Sequence, residues 1–352
     1  MRNSRLNGFQ TLFYDTDAMN KPILLSDEAR KTAINNVFLQ TGIFPQIIEK
    51  DFWVTTVLQL IFSFPFADKL VFKGGTSLSK VWNVIQRFSE DIDMCIDREL
   101  FDFQGDLTVR QIKKLRKQSS LFVKETFCLE LQKVFEKYEL QDIFTIEPQP
   151  DGVGDKTYPE PRMVHIRYQS LFDDMPYLKS EIVLEIGARA LFEPTAKREI
   201  NSLISETLNI NTNLENSLIN TAVPEKTFIE KAFLLHEIFT AGENMTANRK
   251  TRHLYDLEKM MDTEFAEKAI SDHHLWDTIR CHRERFTHIN GVDYSQDIRP
   301  HICLIPPKRV IDDWRQDYET MQRTMIYGKS LDFSELIDRI KQLENRIRNK
   351  NK

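Results

Sequence analysis

Apolar residues recur at helical spacing along most of this chain, and short alternating runs of strand period interrupt them only in its first half. Residues 26–42 set Ala29, Ala33 and Val37 on one side behind Ser26 and Asp27, which suit a cap, and predict a helix. A second helix is predicted from Pro45 to Phe62. Leu70 to Phe72 is a short apolar strand ended by Gly74-Gly75, and Thr76 to Ile85 returns to helical spacing with Leu78, Val81, Trp82 and Ile85 on one side. Asp91 to Cys95 alternates polar and apolar residues, which is the period of a strand. A basic helix follows over roughly 108–138. Two more strands are predicted at Met163–Tyr168 and Glu181–Ile186, preceded by a Pro-, Gly- and Asp-rich stretch, EPQPDGVGDKTYPEP, that reads as a surface loop.

From about residue 197 the period is helical: Glu225–Thr240, Arg252–Met261, Phe265–Thr287, Ile311–Met325 and Phe333–Arg348. The pattern predicts a mixed α/β half, 1–196, joined near residues 193–225 to a mostly helical half, 197–352. Leu336, Ile340, Leu343 and Ile347 are spaced four, three and four apart, a stripe that could dock on a partner or on its own domain, the second being expected. There is no internal repeat.

Composition narrows this picture without overturning it. The 352 residues are 41% hydrophobic and 29% charged, with 11 Gly and 13 Pro, as in ordinary globular proteins. No apolar run approaches the ~20 residues that cross a bilayer, and MRNSRLNGF has no apolar core behind its arginines, so a cytoplasmic protein with no membrane partner is expected. Cys95, Cys128, Cys281 and Cys303 are scattered and read as buried reduced thiols; His273, His274, Cys281 and His282 do not have zinc spacing. A net charge of −5 gives no global pull toward nucleic acid. RNA contact would have to come from local basic runs, Arg110–Lys124 or Arg339–Lys352, which otherwise read as solvated helix faces.

Chemistry concentrates in residues 71–97, VFKGGTSLSKVWNVIQRFSEDIDMCID. Glycines at 74 and 75 let backbone approach a phosphate closely, and the hydroxyls of Thr76 and Ser77 sit where they could help hold it. Asp91 and Asp93, two apart on a strand, face the same way. Two convergent carboxylates beside a triphosphate suit Mg²⁺, which takes hard oxygen ligands from protein and phosphate together. Ser89 shares the face of Asp91 if the strand begins that early. It is either a turn serine or a control point, where an added phosphate would crowd the acids with negative charge.

The order GG, helix, DxD resembles the signature of polymerase-β-like nucleotidyltransferases. GGTSLSK…RFSEDIDM is similar, more closely, to the AbiEii/AbiGii nucleotidyltransferase-like toxins of phage-defence, abortive-infection and toxin–antitoxin operons. IEKDFWV (48–54), LEIGARA (184–190), TFIEKAFLLHEIF (227–239) and TRHLYDLEKM (251–260) resemble further motifs of that family in the same order, so the resemblance covers about residues 26–262. It implies an α+β fold: a polymerase-β-like core, a small mixed sheet flanked by helices, followed by a mostly helical C-terminal domain. It also implies a third metal carboxylate. The family motif places that acid just before GAR, at Glu185, while Glu181 lies on the same strand face and keeps the choice open. The C-terminal domain would contribute Lys231 to neutralise the triphosphate, and Arg252 and Asp256 at the site's edge. Taken alone, Lys231 reads as a solvated lysine, Arg252 and Asp256 as a helical pair worth ~0.3–0.5 kcal/mol, and His236 and His253 as packing residues.

The implied reaction is in-line transfer. A nucleoside triphosphate lies over Gly74, Gly75 and Thr76, with Ser77, Ser89, Lys231, Arg252 and Asp256 nearby and two Mg²⁺ on Asp91, Asp93 and Glu185. An acceptor hydroxyl attacks the α-phosphate and pyrophosphate leaves. The resemblance points to an RNA end, such as that of tRNA, as acceptor, and to an antitoxin encoded alongside. A small-molecule acceptor, a protein hydroxyl, or a nucleotide-binding regulator without turnover are the alternatives; both aspartates and a third acid argue against the last. No GxxxxGK[ST] supports a kinase.

Overall fold

The computed structural model describes residues 26–88, 91–152, 157–173, 178–210, 214, 218–242 and 245–350. Its strands are β1 (Leu70–Lys73), β2 (Asp91–Ile96), β3 (Phe144–Pro148), β4 (Arg162–Tyr168), β5 (Glu181–Gly187), β6 (Thr195–Glu199) and β7 (Leu218–Ala222). The first helices are α1 (Asp27–Thr41), α2 (Pro45–Ile61), α3 (Gly74–Lys80), α4 (Val109–Phe122), α5 (Cys128–Lys137) and α6 (Leu203–Leu208). After them come α7 (Pro224–Thr240), α8 (Arg252–Met260), α9 (Glu264–Ser271), α10 (His273–Phe286), α11 (Ile311–Thr324) and α12 (Phe333–Asn349). The strands make one mixed seven-stranded sheet in the order β3-β4-β5-β2-β1-β7-β6. This is the expected α+β class, a mixed sheet with helices around it.

By compactness the chain falls into two units, each assembled from several stretches. The first takes residues up to Leu70, Ser120–Ile186 and Lys197–Asn220. Ser26 caps α1 by accepting from the Ala29 amide at 3.3 Å, and Gly42 closes the helix in the left-handed region at φ 72°. In α2 the motif IEKDFWV is an interior element rather than a surface one. Glu49 is buried and accepts from Ser170 Oγ (2.5 Å) and the Leu171 amide (3.0 Å), while buried Lys50 donates to the Lys179 carbonyl at 3.3 Å. Both buried groups are thereby hydrogen-bonded. Trp53 packs edge-on to Phe144, 5.0 Å between centroids, and so lays α2 against the antiparallel meander β3-β4-β5.

The second unit takes Val71–Ser119, Gly187–Ala196 and Thr221–Lys352. Its core joins Leu78 and Ile85 to the apolar faces of α7 to α12, through Phe228, Leu235, Leu257, Trp276 and Trp314, all 2% exposed or less. The α12 stripe Leu336, Ile340, Leu343 and Ile347 lies wholly in this core, so its four-three-four spacing serves the unit's own packing. β1 runs parallel to β7, and Thr221 Oγ1 donates to the Phe72 carbonyl at 3.0 Å.

Local details depart from the periodicity in three places. The single basic helix expected over 108–138 is α4 and α5, with a π-helical turn at Val123–Phe127 that buries both of those residues completely. The helix expected over Phe265–Thr287 is α9 and α10, divided at Asp272, whose carboxylate accepts from the Leu275 amide at 2.9 Å and caps the second piece. β3, β6 and β7 were outside the expected set. No described helix is long and apolar enough to cross a membrane. None of the four cysteines is in a disulfide; Cys95 and Cys128 are buried, whereas Cys281 and Cys303 are only half-buried.

Candidate active site

β1 stops at Lys73 and α3 starts immediately with Gly74, two residues earlier than the sequence pattern places the helix. Gly74 holds φ at +80°, and a methyl group there would lie 2.8 Å from Asp93 Cγ. Glycine is therefore required twice: for a backbone angle that other residues resist, and for the approach of the Asp93 carboxylate. At Gly75 the neighbour is Arg87, whose Cζ would be 3.2 Å from an added Cβ. The turn is clasped, with Asp93 against one glycine and Arg87 against the next.

α3 also ends early, at Lys80 rather than Ile85. The chain turns through Asn83 at φ 51°, and the Trp82 indole donates to the Ala222 carbonyl at 3.1 Å. Thr76 Oγ1 donates to the Asp91 carbonyl at 2.5 Å, tying the turn to β2. Ser77 Oγ donates to the Gly74 carbonyl at 2.9 Å and is fully buried. Both hydroxyl protons are thus used on backbone, which holds the turn in shape.

On β2, Asp91 and Asp93 are half-buried while Ile92 and Met94 are buried, so the two carboxylates share the face away from the core. Ser89 lies outside the described residues.

Arg87, which has no signature in the sequence, joins these residues in the fold. Its segment is pinned by the Phe88 amide donating to the Met325 carbonyl (2.7 Å) and the Gly328 amide to the Gln86 carbonyl (3.3 Å). The guanidinium forms a two-pronged pair with Asp256: Nε to Oδ1 at 2.6 Å and Nη2 to Oδ2 at 2.8 Å. Lys231 Nζ reaches the same Oδ2 at 2.8 Å. All three are interior, with side-chain exposures of 1% for Arg87, 0% for Asp256 and 6% for Lys231. Lys231 is therefore not the solvated lysine its lone position suggests, and among the described residues Asp256 pairs with Arg87 and Lys231 rather than with Arg252.

The electrostatics follow from this packing. Burial pushes the Asp256 carboxyl up, but Arg87 and then Lys231 outweigh it and hold the group well below the usual carboxylate range. Burial likewise works against the Arg87 charge and is overcome by Asp256, with a further contribution from Asp93. For Lys231, burial lowers the pKa by more than Asp256 restores. Beside them, burial and then the charges of Lys231 and Arg252 keep His253 neutral, far below its ordinary value, and its buried Nδ1 has no partner among the described residues. His236 packs as expected, its Nδ1 accepting from the Cys303 amide at 3.2 Å.

A family model for the AbiEii nucleotidyltransferase toxin of type IV toxin–antitoxin systems matches residues 57–339. The chain belongs to this family. It is thus a nucleotidyltransferase of the AbiEii toxin type, and the glycine turn, both β2 aspartates, Arg87, Lys231 and Asp256 all lie within the matched span. The match begins inside α2 and extends into α12, well past the motif around Arg252 where the recognisable sequence stops. Among solved structures the chain is similar to MenT4, a nucleotidyltransferase toxin from Mycobacterium tuberculosis H37Rv. The identity is 16%, the TM-score 0.55, and the alignment covers 91% of this chain and 89% of that one, a likeness of fold. No curated protein sequence matches the chain.

The acids named as possible third ligands of the AbiEii site lie on β5, in the first unit. Glu181, Val183 and Glu185 share one face of the strand, all half-buried. Glu181 is held by His165 (3.3 Å), Arg167 (3.6 Å) and Lys179 (3.7 Å), which makes it a partner of its own sheet. Glu185 stands opposite Met163 in the β4 register. Among the described residues no three His, Cys, Asp or Glu side chains converge as a ready-made metal cage, at the zinc-like cluster near His273 or elsewhere. Magnesium does not need one: it is commonly held by one or two carboxylates with substrate phosphate and water. Asp91 and Asp93, hard oxygen donors on one partly exposed strand face, fit that requirement.

Proposed function

We propose that this toxin moves a nucleoside monophosphate from a nucleoside triphosphate to a hydroxyl at an RNA end, such as that of tRNA, in the cytoplasm. An antitoxin encoded alongside would restrain it. The observation that supports this reading best is the clasped turn, with Asp93 against Gly74 and Arg87, itself tied to Asp256 and Lys231, against Gly75.

In this reading the backbone of Gly74, Gly75 and Thr76 lies under the triphosphate, with the Asp93 carboxylate and the Arg87 guanidinium packed against the two glycines. Asp91 and Asp93 hold Mg²⁺, with Glu185 as the third carboxylate. When bound, the metal supplies charge neutralisation on the phosphates and lowers the pKa of the acceptor hydroxyl. Lys231, aimed by Asp256, offsets charge that grows on the leaving pyrophosphate, and Arg252 lines the edge. Ser77 keeps the turn in shape through the Gly74 carbonyl. Phosphate added at Ser89, two positions before Asp91 in the sequence, would bring like charge to this segment and stop transfer. Division of labour follows the sequence halves: 1–196 for the turn and acids, 197–352 for Lys231, Arg252 and Asp256.

The test is transfer of label from each α-³²P nucleoside triphosphate to total tRNA with Mg²⁺, in wild type and Asp93→Asn. Labelled tRNA that vanishes in the variant is expected. Bound nucleotide with no labelled RNA would turn the reading to a small-molecule or protein acceptor.

A further inference from the structure

The buried cluster behind the glycine turn does not balance its charge. Asp256 supplies one carboxylate to two cations, Arg87 and Lys231, and none of the three is more than 6% exposed. The other groups bearing on it do not close the deficit. Asp93 acts on Arg87 from the turn side, Arg252 adds a further cation beside Lys231, and His253 and Tyr255 are neutral. An uncompensated interior charge is costly unless something answers it. Gly75 has no side chain and is itself buried, and the guanidinium lies directly against the backbone of the glycine turn, so the excess charge sits immediately behind it.

We propose that Arg87 is the positioning residue of the nucleotide site: it holds Asp256 behind the Gly74-Gly75 turn and leaves the cluster one positive charge in excess, which the triphosphate answers. The inference rests on the nucleotidyl-transfer reading and adds a specific role to a residue 169 positions from its partner. It separates two properties that an ordinary structural ion pair would merge. The net charge sets how tightly phosphate binds, and the two-pronged geometry sets how well Lys231 is aimed. A lysine at 87 keeps the first and loses the second, because an ammonium cannot grip both carboxylate oxygens.

Affinity is measured by calorimetry for inorganic tripolyphosphate and for the four nucleoside triphosphates, beside transfer rates. Counting Arg87, Asp256 and Lys231, the wild type carries one net plus, Arg87→Gln none, and the double variant Arg87→Gln/Asp256→Asn one again. Arg87→Gln is expected to bind about tenfold more weakly. The double variant should return to within about threefold of wild type in binding while transfer stays low. Arg87→Lys should bind within about threefold of wild type yet transfer at least about tenfold more slowly. Thermal melts establish that each variant is folded, and Arg87→Lys keeps the test decisive if Arg87→Gln is not. Arg87→Gln binding like wild type, a double variant no tighter than Arg87→Gln, or Arg87→Lys transferring at the wild-type rate overturns the proposal. A wild type that binds neither probe overturns it together with the nucleotidyl-transfer reading, a different signature from any of these.

Discussion

Asp256 and Asp262 stand six residues apart, within and just after α8, and each holds two cations. Asp256 takes Arg87 and Lys231; Asp262 takes Arg339 and Arg346, the latter at 3.0 Å. Counting only each carboxylate and its two cations, both sets carry one plus in excess, with Arg339 also 3.7 Å from Glu258; but Asp262 is 60% exposed with partners at 30% and 37%, against 0%, 1% and 6% around Asp256. Water and salt answer the excess at Asp262, so that cluster only decorates the junction of α8 and α12. At Asp256 the three side chains are shut away from solvent, and in the proposed role of Arg87 the triphosphate answers instead. Burial, not the number of ion pairs, marks where the chain keeps charge for use.

The widest separation between the two clusters is expected on cutting each carboxylate. Asp256→Asn strands two buried cations and should cost about 3–5 kcal/mol of stability in a denaturant melt, and lower transfer by ~10²–10³ or more. The glycine turn sharpens the comparison next. Gly74→Ala meets both a positive φ and the Asp93 carboxylate and should cost about 1–3 kcal/mol with loss of transfer. Gly42→Ala, at a similar φ of +72° but in open space, should cost about 1 kcal/mol and leave transfer intact.

Acidity gives a smaller, signed effect. His253 has its folded pKa depressed, so below the unfolded value near ~6.5 the unfolded chain takes up a proton that the native state refuses. Stability should therefore fall as pH drops from 7 to 5, by up to ~1.4 kcal/mol per pH unit from this residue, and His253→Gln should remove that share of the slope in pH-dependent melts. At the small end, Asp262→Asn should change stability by less than about 1 kcal/mol and leave transfer unaltered. A large effect there would break the comparison.

What the sequence shows of all this depends on how local the cause is. Gly74, Gly75 and the Asp91/Asp93 alternation are legible because φ, close approach and strand period act within a few residues. The α12 stripe is legible for the same reason. Arg87 is not, because its meaning lies in a partner 169 positions away; an arginine before a strand has no periodic signature. Asp256 misleads in the complementary way, since Arg252 four residues earlier offers a local partner that the fold does not use. β6, sequence TAKRE, is polar enough to hide as loop, and its residues remain half-buried or exposed in the sheet. The break between α4 and α5 is a single wide turn inside an unbroken helical pattern.

Whether the clasped turn moves the α-phosphorus of a nucleotide is decided by the position of the label. Matched reactions with α-³²P and γ-³²P nucleoside triphosphates, tRNA and Mg²⁺ should be run with wild type and Asp93→Asn. Nucleotidyl transfer by this site gives α-label in the RNA, none from the γ-position, pyrophosphate released in equal amount, and no transfer by the variant. Label reaching the acceptor from the γ-position, or α-label transfer undiminished in Asp93→Asn, would contradict it.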